Sequence, residues 1–239
     1  MKILKTEFYK SALVATAMIM AIGTASASES KDWQIATGAK LYDNWMSVLD
    51  MDPPAKPHSL YPADKAYAND AKSSWRCKEC HGWDYMGKDG AYRSGKHFSG
   101  IKGINGAQGK SARSIIDVLT DKKHGYGDKL SKTDLGYLAL FVSEGQEDMS
   151  TLINSDKSIK QGNMLQGKAY YETICAGCHG LDGMEPSDMD PLGELMGNPW
   201  ETAHKVLNGQ PDEAMPGLRS LDRQVLKDLL AYLATLPKE

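Results

Sequence analysis

The sequence predicts an all-α chain made of two helical units in tandem, the first interrupted by a long Pro-containing insertion. Three observations predict it. The pentapeptide Cys-x-x-Cys-His occurs at Cys77-Lys78-Glu79-Cys80-His81 and again at Cys175-Ala176-Gly177-Cys178-His179, each time followed by Gly. The segment Leu135-Gly136-Tyr137-Leu138-Ala139 returns as Leu230-Ala231-Tyr232-Leu233-Ala234. Around the second of these, Val225, Leu226, Leu229, Leu230 and Leu233 recur at the spacing of one helical face.

The chain starts with an export signal. Lys2, Lys5 and Lys10 give a positive start, Ser11 to Thr24 is a run of small and apolar residues, and Ala25-Ser26-Ala27 supplies a cleavage site. The run is short for a membrane span and polar sequence follows it, so residues 1–27 are expected to be removed; a retained anchor is the alternative. The expected location is the periplasm, with no transmembrane segment after cleavage. The remaining 212 residues carry 25 basic against 30 acidic side chains. That balance lacks the basic footprint of nucleic-acid binding.

Four cysteines in an exported protein would ordinarily suggest disulfides. Here all four lie in the pentapeptides, which are the attachment signature of c-type haem. Two thiols one helical turn apart can each form a thioether to a haem vinyl group, and the adjacent imidazole then lies under the iron. Two covalently bound haem c groups are therefore expected, on Cys77 and Cys80 with His81 as proximal ligand, and on Cys175 and Cys178 with His179. A zinc site built from the four thiols would leave the repeated His without a role. A redox dithiol would need a βαβ context, whereas the surroundings read as helical.

Each motif is preceded by an early Gly with an aromatic: Gly167-Lys168-Ala169-Tyr170-Tyr171 leads directly into Cys175, and Gly38-Ala39-Lys40-Leu41-Tyr42 begins the first unit. Cys77 comes 31 residues later than the second copy's register predicts. Pro53, Pro54, Pro57 and Pro62 mark the insertion that fills this gap as loop. Next come Ile115, Ile116 and Leu119 in the first copy and Val206 and Leu207 in the second. Ser131 and Asp134 then form a capping pattern ahead of the closing helix. Gly145 to Gly162, polar and with little apolar periodicity, reads as a linker packed on the surface.

Taken together, these parts resemble two class I cytochrome c domains in tandem, covering most of the mature chain: residues 28–148 and 163–239, joined by a linker at 149–162. In that family a loop between the third and last helices presents the distal ligand. Met215-Pro216 lies in this loop of the second copy and looks like the distal thioether. Leu119 to Leu135 spans 16 residues where Leu207 to Leu230 spans 23, so the first copy should lack seven residues of the loop. Its stretch from Lys122 to Asp128 holds no Met but does hold His124, the leading distal ligand for the first haem; His97 is the reserve, and an open iron the third possibility. Met86 and Met184 stand too near the proximal histidines, Met189 and Met196 precede the third helix, and Met149 lies past the last one. Trp75, Trp83 and Tyr85 are expected to line the first pocket. Gly100 to Gly106 is expected to wrap the haem edge, because no strand precedes it to make a phosphate loop.

Such a protein would transfer electrons between redox partners, alone or within a larger oxidoreductase. A Met/His iron has the higher potential, so electrons would run from the first haem to the second. Residues 71–130 carry a balance of +6 and residues 176–215 one of −7, a polarity that could steer different partners to the two ends. The alternative is a di-haem oxidoreductase, or a small-ligand-binding protein, using an open or labile first haem. Tyr126, Arg93 and Lys96 could then bind a small anion. Thiosulfate dehydrogenases put a Cys on their active iron, and here every Cys is already used in attachment.

Overall fold

The computed structural model describes residues 29–239, whose regular elements are all helical apart from two isolated bridges, Gly87 to Lys102 and Ile153 to Ile159. The expected cleavage after Ala27 lies outside the described residues. Helix α1 (Lys31–Val48) starts where the Ser30 side chain accepts the Trp33 amide at 3.2 Å. After it, residues 49–70 run without a helix, as the prolines predict. Asp70 caps α2 (Ala71–Ser74), and α3 (Cys77–His81) is the first motif itself. Then come α4 (Ala112–Leu119) and α5 (Lys132–Leu140), which opens with the predicted capping box of Ser131 and Asp134 and ends in a π-helical turn, Phe141–Gly145.

The C-terminal half repeats the order. Helix α6 (Met164–Ile174) leads into α7 (Ala176–His179), the second motif; α8 (Leu192–Leu195) and α9 (Pro199–Asn208) follow, and α10 (Arg223–Leu233) closes the chain from an Asp222 cap. Helix α6 crosses α10 and α1 crosses α5. Both crossings turn on glycine: a Cβ at Gly38 would strike the Tyr137 carbonyl, and one at Gly167 would strike the Asp228 carbonyl. The next turn of each first helix supplies the same bond, Tyr42 Oη to the Gly82 carbonyl at 2.6 Å and Tyr171 Oη to the Gly180 carbonyl at 2.7 Å.

These contacts correct the register read from the repeated Leu-x-Tyr-Leu-Ala. Gly38 meets Tyr137 and Phe141 where Gly167 meets Asp228 and Tyr232, so the closing helices correspond one turn away from the letter match. The caps Ser131 and Asp222 keep this shifted register. Measured between helices, the first distal loop has 12 residues (120–131) and the second 14 (209–222), so the shortfall is two residues rather than seven.

The two halves are packed against each other. Helix α9 lies on α1, and its His204, with no exposed surface, donates from Nε2 to the Ala39 carbonyl at 3.1 Å. Asp43 is buried beside Arg76 and Lys205, one from each half; although burial pushes its carboxyl up, the two cations hold it below the ordinary range. Buried Arg219 donates to Asn208 Oδ1 at 2.9 and 2.7 Å and to the Gly145 carbonyl at 3.0 Å. Residues 149–162 depart from a surface linker, since Met149, Leu152 and Ile153 are buried in the core.

Candidate haem sites

Both motif helices end in a glycine of positive φ, Gly82 at 81° and Gly180 at 72°, which turns the chain away from the histidine. His81 then donates from Nδ1 to the Lys102 carbonyl at 2.8 Å, and His179 from Nδ1 to the Glu185 carbonyl at 3.2 Å. Each bond fixes the tautomer and leaves Nε2 as the basic nitrogen, as in histidines that ligate a metal. Burial holds His81 neutral by pushing it down to about 4.

None of the four cysteines is paired in a disulfide. Among the described residues, no group of three or more Cys, His, Asp or Glu is arranged to hold a metal ion.

Beside the first motif lies a cavity of about 580 Å3, within the range of cofactor sites. Cys77, Cys80 and His81 line it, with apolar Ile104, Ile115, Leu119, Leu138 and Val142. Residues 101–107 form part of its wall, and Gly103 is required there because a Cβ would meet the Tyr85 carbonyl. His124 lines the same cavity. Asp121 Oδ1 accepts the Lys123 and His124 amides at 2.8 and 2.7 Å and stands 3.4 Å from His124 Nδ1. His124 Nε2 has no hydrogen bond to any described residue. This is the carboxylate-imidazole arrangement that orients a metal-binding histidine. Two cysteine sulfurs and the imidazoles of His81 and His124 thus share one cavity, a donor set that would fit a covalently attached haem.

His97, the reserve ligand, belongs elsewhere. Its Nδ1 meets Glu79 Oε1 at 2.7 Å, and its ring is stacked with Tyr67 and Tyr92 at 5.4 and 4.8 Å, outside the cavity lining. Trp83 and Tyr85 also depart from expectation, since they pack against His204 at the contact between halves and do not line the cavity. Trp75 stands behind the wall, edge-on to His58 and Tyr126 at 4.3 and 5.5 Å. Lys96 lies over the Tyr67 ring, and Arg93 lines a separate cleft.

In the C-terminal half, the loop carrying Met215 is tied at both ends to α9. A Cβ at Gly209 would strike the Met215 carbonyl, the Leu218 amide donates to the Val206 carbonyl at 3.0 Å, and Arg219 reaches Asn208. Met215 is half-buried against the core. Counted from the helix caps, Met215 stands seven residues before Asp222 and His124 seven before Ser131, so the two occupy one position of the repeated frame.

Three polar side chains of this framework escape sequence reasoning: His58, His204 and Arg219. His58 lines the cavity beside the first motif from within the insertion. A lone His among prolines carries no motif, and only the nearby aromatics Trp75 and Tyr126 hint at a packed site.

No helix among the described residues is long and apolar enough to cross a membrane. A comparison with curated proteins gives no match. Residues 162–233 are similar to the family described as cytochrome C oxidase, cbb3-type, subunit III, a match that supports a cytochrome c domain in this part of the chain and points to haem c and electron transfer.

Proposed function

We propose that the chain is an exported di-haem c-type cytochrome that carries electrons between redox partners in the periplasm. Its two cytochrome c domains are residues 28–148 and 163–239, joined by 149–162. When bound, haem c supplies a one-electron iron couple. Cys77, Cys80, Cys175 and Cys178 attach the two groups, and His81 and His179 are held by their carbonyl partners to present Nε2. Met215 is the distal ligand of the second site and His124 that of the first.

The observation that carries this reading is the shared frame: both motif histidines donate Nδ1 to a backbone carbonyl, and His124 and Met215 stand at one position relative to the following helix cap. The apolar cavity lined by both His81 and His124 supports a full first site rather than a vestigial one. An imidazole from Asp121-anchored His124 gives the first iron two nitrogen ligands and a lower potential than the second. Opposite charge balances near the motifs, +6 over residues 71–130 and −7 over 176–215, suit partners of opposite charge at the two ends.

The test is stoichiometric and spectroscopic. Purified from the periplasm, the mature protein should begin at Ser28 and give two haems per chain by pyridine haemochrome. Magnetic resonance should show one low-spin bis-imidazole iron and one imidazole-thioether iron. A chain with one haem, or with zinc on its thiols, would overturn the reading.

A further inference from the structure

Residues 49–70 break the repeat, and their contacts give the insertion a task. His58 sits in this loop with 6% of its surface exposed. Its amide donates to Ser74 Oγ at 3.0 Å, three residues before Cys77. The Leu60 amide donates to its Nδ1 at 3.1 Å, and its Nε2 donates to the His124 carbonyl at 3.0 Å. The Trp75 indole donates to the Lys56 carbonyl at 2.8 Å, so the segment around His58 is tied to the residues leading into the motif. Pro57, with its fixed φ, stiffens the same stretch.

We propose that His58 is a positioning residue for the distal ligand of the first haem: through its bond to the His124 carbonyl, the Pro-rich insertion ties the distal loop to the segment that opens the attachment motif. His58 lines the cavity, yet both its ring nitrogens are committed to backbone groups, so it is no rival ligand. The bond falls on the carbonyl of the ligand residue itself. Asp121 holds that residue from the amide and Nδ1 side, and His58 from the carbonyl side. Together they clamp both peptide groups of His124 and leave its ring to meet the iron. The second half has no such insertion; there the Met215 loop is held by Gly209 and Arg219 against α9.

This inference rests on haem attachment at Cys77 and Cys80 with His124 as sixth ligand. Two variants of similar volume separate the donor from the packing. His58→Gln keeps an N–H for the His124 carbonyl, and His58→Leu does not. In the full-length holoprotein, His58→Leu should convert a measurable share of the first haem to high spin and speed cyanide binding there at least tenfold. His58→Gln should stay near wild type, and the second haem's Met signature should be unchanged in both. Equal behaviour of the two variants, whether silent or disruptive, overturns the positioning role. His124→Ala tells the two levels apart. If it leaves the first haem six-coordinate and low-spin, the ligand assignment itself is wrong; if it opens the iron while His58→Leu is silent, only the role of His58 fails.

Discussion

The Tyr85 hydroxyl, four residues past the first Cys-x-x-Cys-His motif, donates to Nδ1 of His204 at 2.9 Å, and neither residue exposes more than 1% of its surface. The bond joins the N-terminal half to α9 of the C-terminal half. His204 Nε2 donates to the Ala39 carbonyl, so the imidazole is neutral, with one nitrogen giving and one receiving. The halves therefore meet through a buried, saturated polar contact surrounded by Tyr42, Trp83 and Phe141.

His204→Phe preserves bulk but orphans the Tyr85 hydroxyl, and a buried unsatisfied donor costs about 1–3 kcal/mol. Denaturant unfolding of the holoprotein at pH 7 should show a loss of that size. Burial pushes His204 down to about 4 from its ordinary 6.5, so the unfolded chain takes up a proton before the folded one does. Its contribution is complete above pH 6.5 and is lost as pH falls from 6.5 toward 4. The variant should have a flatter stability profile across that window; an unchanged slope would mean that His204 titrates normally.

The helix crossings predict opposite effects for three glycine substitutions. Gly38→Ala and Gly167→Ala force a methyl against a backbone carbonyl that cannot move aside, and each should cost about 1–3 kcal/mol. Gly136→Ala in α5 meets open space and should stabilise by about 0.5–1 kcal/mol through helix propensity. Thermal melts of the three single variants check the sign at each position.

If Met215 and His124 are the distal ligands of two haems, as proposed, exchanging them should move the two potentials toward each other. Met215→His should lower the second haem's potential and His124→Met should raise the first's, by on the order of 0.1–0.3 V within the roughly 0.8 V that axial ligands span. Spectroelectrochemical titration reads both. No change in the Met215→His variant would remove that thioether from the iron.

Charge division predicts a salt effect of opposite sense at the two ends. A small anionic reductant should react fastest near residues 71–130, and a cationic one near residues 176–215, where the balances are +6 and −7. Both preferences should fade as ionic strength rises from about 0.01 to 0.3 M, where screening shortens the reach of exposed charge. Stopped-flow traces resolved by haem would show no such preference if the patches were only solvated faces.

What the sequence disclosed was what is encoded locally. The Cys-x-x-Cys-His helices, the Ser131-Asp134 capping box and the Pro-rich loop each depend on residues a few positions apart. The register of the closing helices was misread because Leu-x-Tyr-Leu-Ala resembles itself by composition, whereas the true frame is set by where Gly38 and Gly167 allow helices to cross. His97 stood in reserve as a ligand, but Glu79 and two tyrosines hold its ring. The bond of His58 to residue 124, like that of His204 to Tyr85, spans a long stretch of chain and has no local signature.

Arg219 adds a practical consequence. It stands four residues past Met215 and spends its guanidinium on Asn208 of α9 and on the Gly145 carbonyl of the other half. Prising the halves apart would break the Gly145 bond and leave the Met215 loop held by Asn208 alone at this point. If a haem is bound there through Met215 as proposed, its absorbance should report a loosened joint as a small shift rather than a full loss.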